Sequence, residues 1–257
     1  MRYTDPTGHY VCDEDTGDCS TRRWNRFGAS ADLTAGQLRA IYGIQLTADA
    51  RHSWTAADIR NISEAVQQTA AALDYSTWAD GRPTNANVAR FFKSVLYTDL
   101  TFHRSAVESA GAATTNNGVI DVYVNSKTHT DWAFSAQNAA HEIGHAFSQS
   151  AGRQPYTDLD AAQIMDNAGN VIAGGGGPGS YFRSDDGYAT AGFPWQQHRQ
   201  VMGDKKDPPT ANEDFADMFL GWTYGNFAND RPGAGAARNT WMSANMPRWI
   251  PLAVNGN

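Results

Sequence analysis

His141-Glu142-Ile143-Gly144-His145 is the stretch from which the rest of the chain is read. On a helix, positions i and i+4 stand one above the other, so His141 and His145 present both imidazoles to one point. Glu142 is rotated from His141 by about 100°, which suits a carboxylate that acts on a water beside a metal rather than on the metal itself. Two imidazoles and a carboxylate so arranged are parts of a hydrolytic metal site. The plainer alternative is a solvated helix face with two ordinary histidines. Asp131 or Ser135 can cap the helix and Gly152 is a natural stop. Ala136, Ala140, Ile143 and Phe147 form its buried stripe, with the histidines on an adjoining face.

A catalytic zinc takes three protein ligands and leaves a fourth position open, so two histidines need a partner. The extended metzincin motif would require Gly and His where this chain has Ser148 and Ala151, which excludes that class. Downstream of Glu142 the sole glutamate is Glu213, and the sole histidine beyond His145 is His198. Glu213 lies in a segment where Ala211, Phe215, Met218, Phe219 and Trp222 follow helical apolar spacing. Asp217 is at i+4 from it, so two carboxylates share one helix face. One can bind metal while the other accepts a ring N–H from a ligating histidine, fixing its tautomer. Alternatively, Thr210-Ala211-Asn212-Glu213 fits a capping box, with Glu213 satisfying the first backbone N–H groups and Asp214 and Asp217 solvated.

His141-Glu142-x-x-His145 followed by Asn212-Glu213-x-x-Ala216-Asp217 resembles the gluzincin pattern of thermolysin-like and lethal-factor-like zinc metallopeptidases. The resemblance implies an α+β, zincin-like fold: a small mixed sheet packed on the motif helix, with a mainly helical C-terminal part. It implies zinc held by His141, His145 and Glu213, Glu142 as general base, and Asp217 as hydrogen-bond partner of a ligand histidine. Family members stabilise the oxyanion with a Tyr or His outside the motifs. His198, Tyr181, Tyr188 and Tyr224 are the candidates here, with His198 and Tyr224 carried forward; spacing does not choose among them. The implied substrate is a protein or peptide, added as an extended strand to a sheet edge expected at Val119–Val124.

A net charge of -7 and a pI near 5.4, with no basic cluster, argue against nucleic acid as the main partner. At 257 residues, 41% hydrophobic and 18% charged, the chain has the balance of a globular protein. No apolar run reaches membrane-spanning length, so no membrane insertion is expected. Met1-Arg2-Tyr3-Thr4-Asp5-Pro6 lacks the apolar core of a signal peptide. Cys12 and Cys19 can close a small disulfide loop in an oxidising compartment or stay as two thiols. The acidic run between them reads as a solvated turn rather than a calcium loop.

Arg2 to Tyr10, with Asp5-Pro6-Thr7-Gly8, resembles the end of the shell region in Rhs/YD-repeat proteins, where a D-P-x-G element precedes a variable C-terminal effector. That resemblance implies a junction segment over 1–25, a metallopeptidase domain over 26–257, and origin in a longer polypeptide that is exported to the outside or the cell surface. Within the domain, Thr34 can cap a helix that Gly43 ends, and an amphipathic helix is expected at about 55–73. Asn85 or Asn87 can start a short helix through Phe92. Period-two character marks strands at 95–102 and 119–124, with a hairpin signal at Asn116-Asn117-Gly118. Residues 153–209 show little periodicity and include the run Gly174-Gly175-Gly176-Gly177; a final helix near 236–246 is expected to stop at Pro247. The functional expectation is a zinc endopeptidase acting as a secreted effector or toxin module. The alternative is a binding or adhesion domain of a surface protein in which the zinc site is structural or vestigial.

Overall fold

The computed structural model describes residues 30–50, 52–76, 85–97, 99–109, 113–126, 134–169, 171–174, 211–227 and 232–256. Cys12, Cys19, the Asp5-Pro6-Thr7-Gly8 element, Asp131, Tyr181, Tyr188, His198 and Thr210 lie outside these residues. The described part is α+β. It comprises α1 (Ala35–Tyr42), β1 (Gln45–Ala48), α2 (Ala56–Ser76), α3 (Asn85–Val95), β2 (Thr101–Ser109), β3 (Ala113–Asn116) and β4 (Val119–Ser126). These are followed by α4 (Ala136–Ser150), α5 (Gln154–Ala161), β5 (Gln163–Met165), β6 (Val171–Gly174), α6 (Ala211–Tyr224) and α7 (Ala234–Gly256).

α4 is the hub, packing against α2, α6, α7 and β3. Its start is set by Ser135, whose hydroxyl accepts from the Asn138 N–H, and Gly152 follows its end in the left-handed region at φ 64°. Every residue from His141 to Ser148 is buried, so this helix has no solvent face over two turns. Phe147 stacks on Phe219 with ring centroids 5.2 Å apart, and Phe215 meets Trp249 of α7 edge-on at 5.6 Å. At about 1.5–3 kcal/mol for each fully buried Phe, these contacts are the main drive for α4, α6 and α7 to assemble.

Gly144 sets how closely α4 and α6 approach. A Cβ placed there would stand 3.0 Å from Phe219 Cβ and 3.2 Å from the Ala216 Cα, tighter than ordinary van der Waals contact. The helices touch backbone to backbone between the two histidines on one side and between Glu213 and Asp217 on the other.

The main sheet has the order β1-β2-β4-β3, parallel except for β3, which runs antiparallel to β4. The hairpin signal is realised between β3 and β4: Asn117 and Gly118 both take positive φ, 46° and 77°, as a two-residue turn of the type that matches strand twist requires. Its first strand is β3, not the 95–102 stretch. Val95 ends α3 and the strand begins at Thr101, because Val88, Phe92, Val95 and Leu96 bury a helical stripe that outweighs their β propensity. The expected edge at Val119–Val124 is also corrected. β4 lies between β2 and β3, and the edge strand facing α4 is β3.

Two further departures concern the C-terminal part. Residues 153–174 hold α5 and a two-stranded β5–β6 sheet, elements too short to show periodicity. α7 runs through Pro247 and Pro251 instead of stopping. Both prolines are exposed and four apart, so the carbonyls they free point to water, while Met242, Met246, Trp249, Ile250 and Ala253 keep one continuous buried stripe. Thr34 and Gly43 act as expected: Thr34 forms a capping box with Gln37, and Gly43 ends α1 at φ 73°. Replacing Gly144 by Val should destabilise the metal-free protein by about 1–3 kcal/mol, read from urea denaturation, because the added atoms meet backbone that cannot move aside; an unchanged midpoint would show that α4 and α6 have room to spare.

Candidate metal centre

The sequence puts His141 and His145 one turn apart on α4 and Glu213 in the first turn of α6; the Gly144 contact brings the two faces together. The result is a cluster in which His141 Nε2 lies 3.1 Å from His145 Nε2 and 3.4 Å from Glu213 Oε2, with His145 Nε2 3.2 Å from the same oxygen. Ligand atoms about 2.0–2.1 Å from a tetrahedral metal stand about 3.3–3.4 Å apart, so these three atoms form a near-equilateral triangle of the right size. Among the described residues this is the group of His, Cys, Asp and Glu side chains whose donor atoms converge, and it could hold a metal ion.

Asp217 lies one turn beyond Glu213 on α6, and its Oδ1 is 2.8 Å from His141 Nδ1, with both groups buried. A carboxylate only accepts, so Nδ1 carries a proton, and Nε2 is the nitrogen that faces the centre and would offer its lone pair to a metal on giving up any proton of its own. The ring planes of His141 and His145 stand at 85° with centroids 4.8 Å apart, which lets both nitrogens face one point without the rings clashing. His145 Nδ1 is buried with no hydrogen-bond partner among the described residues.

Electrostatics follow the same arrangement. Burial disfavours a charged His141, yet the charge and hydrogen bond of Asp217, helped by Glu213 and Glu142, hold it well above the ordinary histidine range. Burial pushes Glu213 upward, but hydrogen bonds from His141 and His145 and their charges pull its carboxyl far below the usual carboxylate range. The protein has thus collected negative charge where a cation would sit. Glu213 keeps side-chain exposure of 30%, against 2% and 7% for the two histidines, so the cluster opens to solvent on the Glu213 side.

Glu142 does not join the triangle. It is turned towards the sheet, where Thr115 of β3 donates to its Oε2 at 2.6 Å. Tyr224 is not brought to the cluster either. It ends α6, three turns beyond Glu213 and so about 16 Å along the axis; there burial pushes its phenol up and the nearby Glu64 adds to the shift. Sequence reasoning did not single out Gly144, Ala216, Thr115 or Gln149. Gly144 left a usable trace, a helix-weakening residue inside a strong helical pattern; Thr115 left none, because its role exists only through the β3–α4 contact.

Compared with known proteins, the chain matches no protein family model, no curated protein and no solved structure. The site therefore stands on its own geometry. Alanine at His141, His145 or Glu213 should abolish stoichiometric metal, measured by elemental analysis of dialysed protein. Asp217→Asn should keep the fold and weaken metal affinity by about 10–100-fold; full affinity in that variant would mean that the Asp217 contact does not tune the ligand.

Proposed function

We propose that the protein is a zinc-dependent endopeptidase of gluzincin type, with His141, His145 and Glu213 as the zinc ligands. The observation that carries this reading is the pairing of a three-donor triangle with Glu142, next to His141 on α4, whose charge is felt by His141 while its carboxylate is bonded to Thr115. Two imidazoles and one carboxylate are the donor set of catalytic rather than structural zinc, since they leave a coordination position open. Bound zinc supplies Lewis acidity that polarises water and a carbonyl oxygen.

The remaining chemistry belongs to this chain. Glu142 accepts a proton from the attacking water as its oxygen bonds to the carbonyl carbon, and later gives that proton to the departing amine nitrogen. Asp217 holds His141 in one tautomer throughout, and its charge supports the positive centre. His198, outside the described residues, stays the candidate oxyanion donor, and Tyr224 is set aside for its distance along α6.

A peptide lying beside Glu142 would run along β3. Thr115 pairs with Ile120 next to the two-residue turn, a position whose N–H and C=O point away from β4 to the open edge. Gln149 of α4 already donates to that carbonyl at 2.9 Å. Main-chain pairing along this four-residue strand is thus short, and side-chain pockets must supply most of the selectivity. No helix among the described residues is long and apolar enough to cross a membrane. The resemblance of residues 2–10 to an Rhs junction supports an exported effector module that is part of a longer polypeptide.

Glu142→Gln should bind zinc like the wild type yet lose peptide cleavage by about 10²–10⁴-fold or more, measured on a fluorogenic peptide library. Chelation should silence the wild type and added zinc restore it. Cleavage that survives the Glu142 change with zinc still bound would remove the base from the mechanism.

A further inference from the structure

We infer that Thr115 is the positioning residue for Glu142: its hydroxyl fixes one oxygen of the carboxylate on the sheet side and leaves the other free to take the proton. The inference rests on the hydrolytic reading above. Thr115 Oγ1 lies 2.6 Å from Glu142 Oε2 and 3.3 Å from the Glu142 carbonyl, and its single proton goes to the shorter contact. An O–H···O⁻ bond of that length is of the strong, charge-assisted kind. Glu142 is 7% exposed, so little water competes for it.

The hydroxyl is itself held in place. Gln149, two turns along α4 from Glu142, donates from Nε2 to the Thr115 carbonyl at 2.9 Å and accepts at Oε1 from the Asn117 N–H at 2.8 Å. One amide side chain thereby fixes both the strand and the turn that carry Thr115. Branching at its Cβ restricts the χ1 of Thr115 further.

This arrangement answers a chemical problem of the site. A flexible carboxylate next to three metal-type donors would swing in as a fourth ligand and close the open position. Thr115 draws Glu142 the other way, towards β3, so that it serves as a base and not as a ligand. Serine could do the same; valine, of equal shape, could not.

The test combines stability and kinetics on the full chain. In metal-free protein, Thr115→Val and Glu142→Ala should each lower Tm, and the double variant should fall no further than the lower single one. Additive losses would overturn the proposal, since hydroxyl and carboxylate would then not hold one another. In zinc-loaded protein on the peptide library, Thr115→Val should keep its zinc and its KM while kcat drops about 10–100-fold, and Thr115→Ser should recover most of that loss. If Thr115→Val does not fold, Thr115→Ala takes its place. An active wild type with an unchanged kcat in the variant, or a change in KM alone, defeats the positioning role and leaves the hydrolytic reading intact. A wild type that cleaves no peptide while the Tm coupling persists defeats the hydrolytic reading and the positioning role with it, the contact itself surviving.

Discussion

The close approach of α4 and α6 at Gly144 is the constraint on which the site depends. Three donor atoms drawn from two helices meet within 3.1–3.4 Å beside the point where the backbone of α4 at Gly144 lies close against Ala216 and Phe219 of α6. Gly144 and Ala216 leave room for that approach, and the Phe147, Phe215 and Phe219 rings supply the apolar burial that holds the helices there. A glycine inside a helix costs about 1 kcal/mol of helix propensity. Here that loss is local, while the gain is spread over three stacked aromatic rings.

The polar groups at this interface add little to folding by themselves. Burying His141 beside Asp217 removes both from water, and such pairs about break even against apolar replacements. The interface is thus better explained by what it can bind than by what it stabilises. Negative charge from Glu213 and Asp217 converges on the imidazole nitrogens, and a cation at the centre would be met by one donor atom each from His141, His145 and Glu213. Folding energy comes from the aromatic layer on the far side of Gly144; the polar layer uses the rigidity that layer provides.

How much of this was legible in the sequence follows from the range of the interactions. Spacing within one helix is local, so the His141–His145 face and the Glu213–Asp217 face could be read directly, as could the cap at Thr34 and the turn at Asn117-Gly118, while the structure chooses Ser135 from the two caps open for α4. Strand assignment failed at 95–102 because β-branched and aromatic residues there serve a buried helix end and a strand in succession, and local pattern does not say where one yields to the other. Sheet order is non-local, which is why β4 was mistaken for an edge. Pro247 was misread for a related reason: whether a proline stops a helix depends on whether the carbonyl it frees faces water, and that is fixed by packing.

Rotation about the α4 axis separates two sets of contacts. His141, Gly144 and His145 look towards α6, where Glu213 completes the donor triangle; Glu142 and Gln149, on the side facing the sheet, meet β3. The angle of about 100° between neighbouring helix positions is what allows His141 and Glu142 to be consecutive in sequence and yet answer to different partners. In the proposed site, metal affinity would follow from contacts with α6, and the placing of Glu142 from its contact with Thr115 of the β3–β4 hairpin. The two sets meet in the α4 backbone and through the charge of Glu142, which helps hold His141 above the ordinary histidine range.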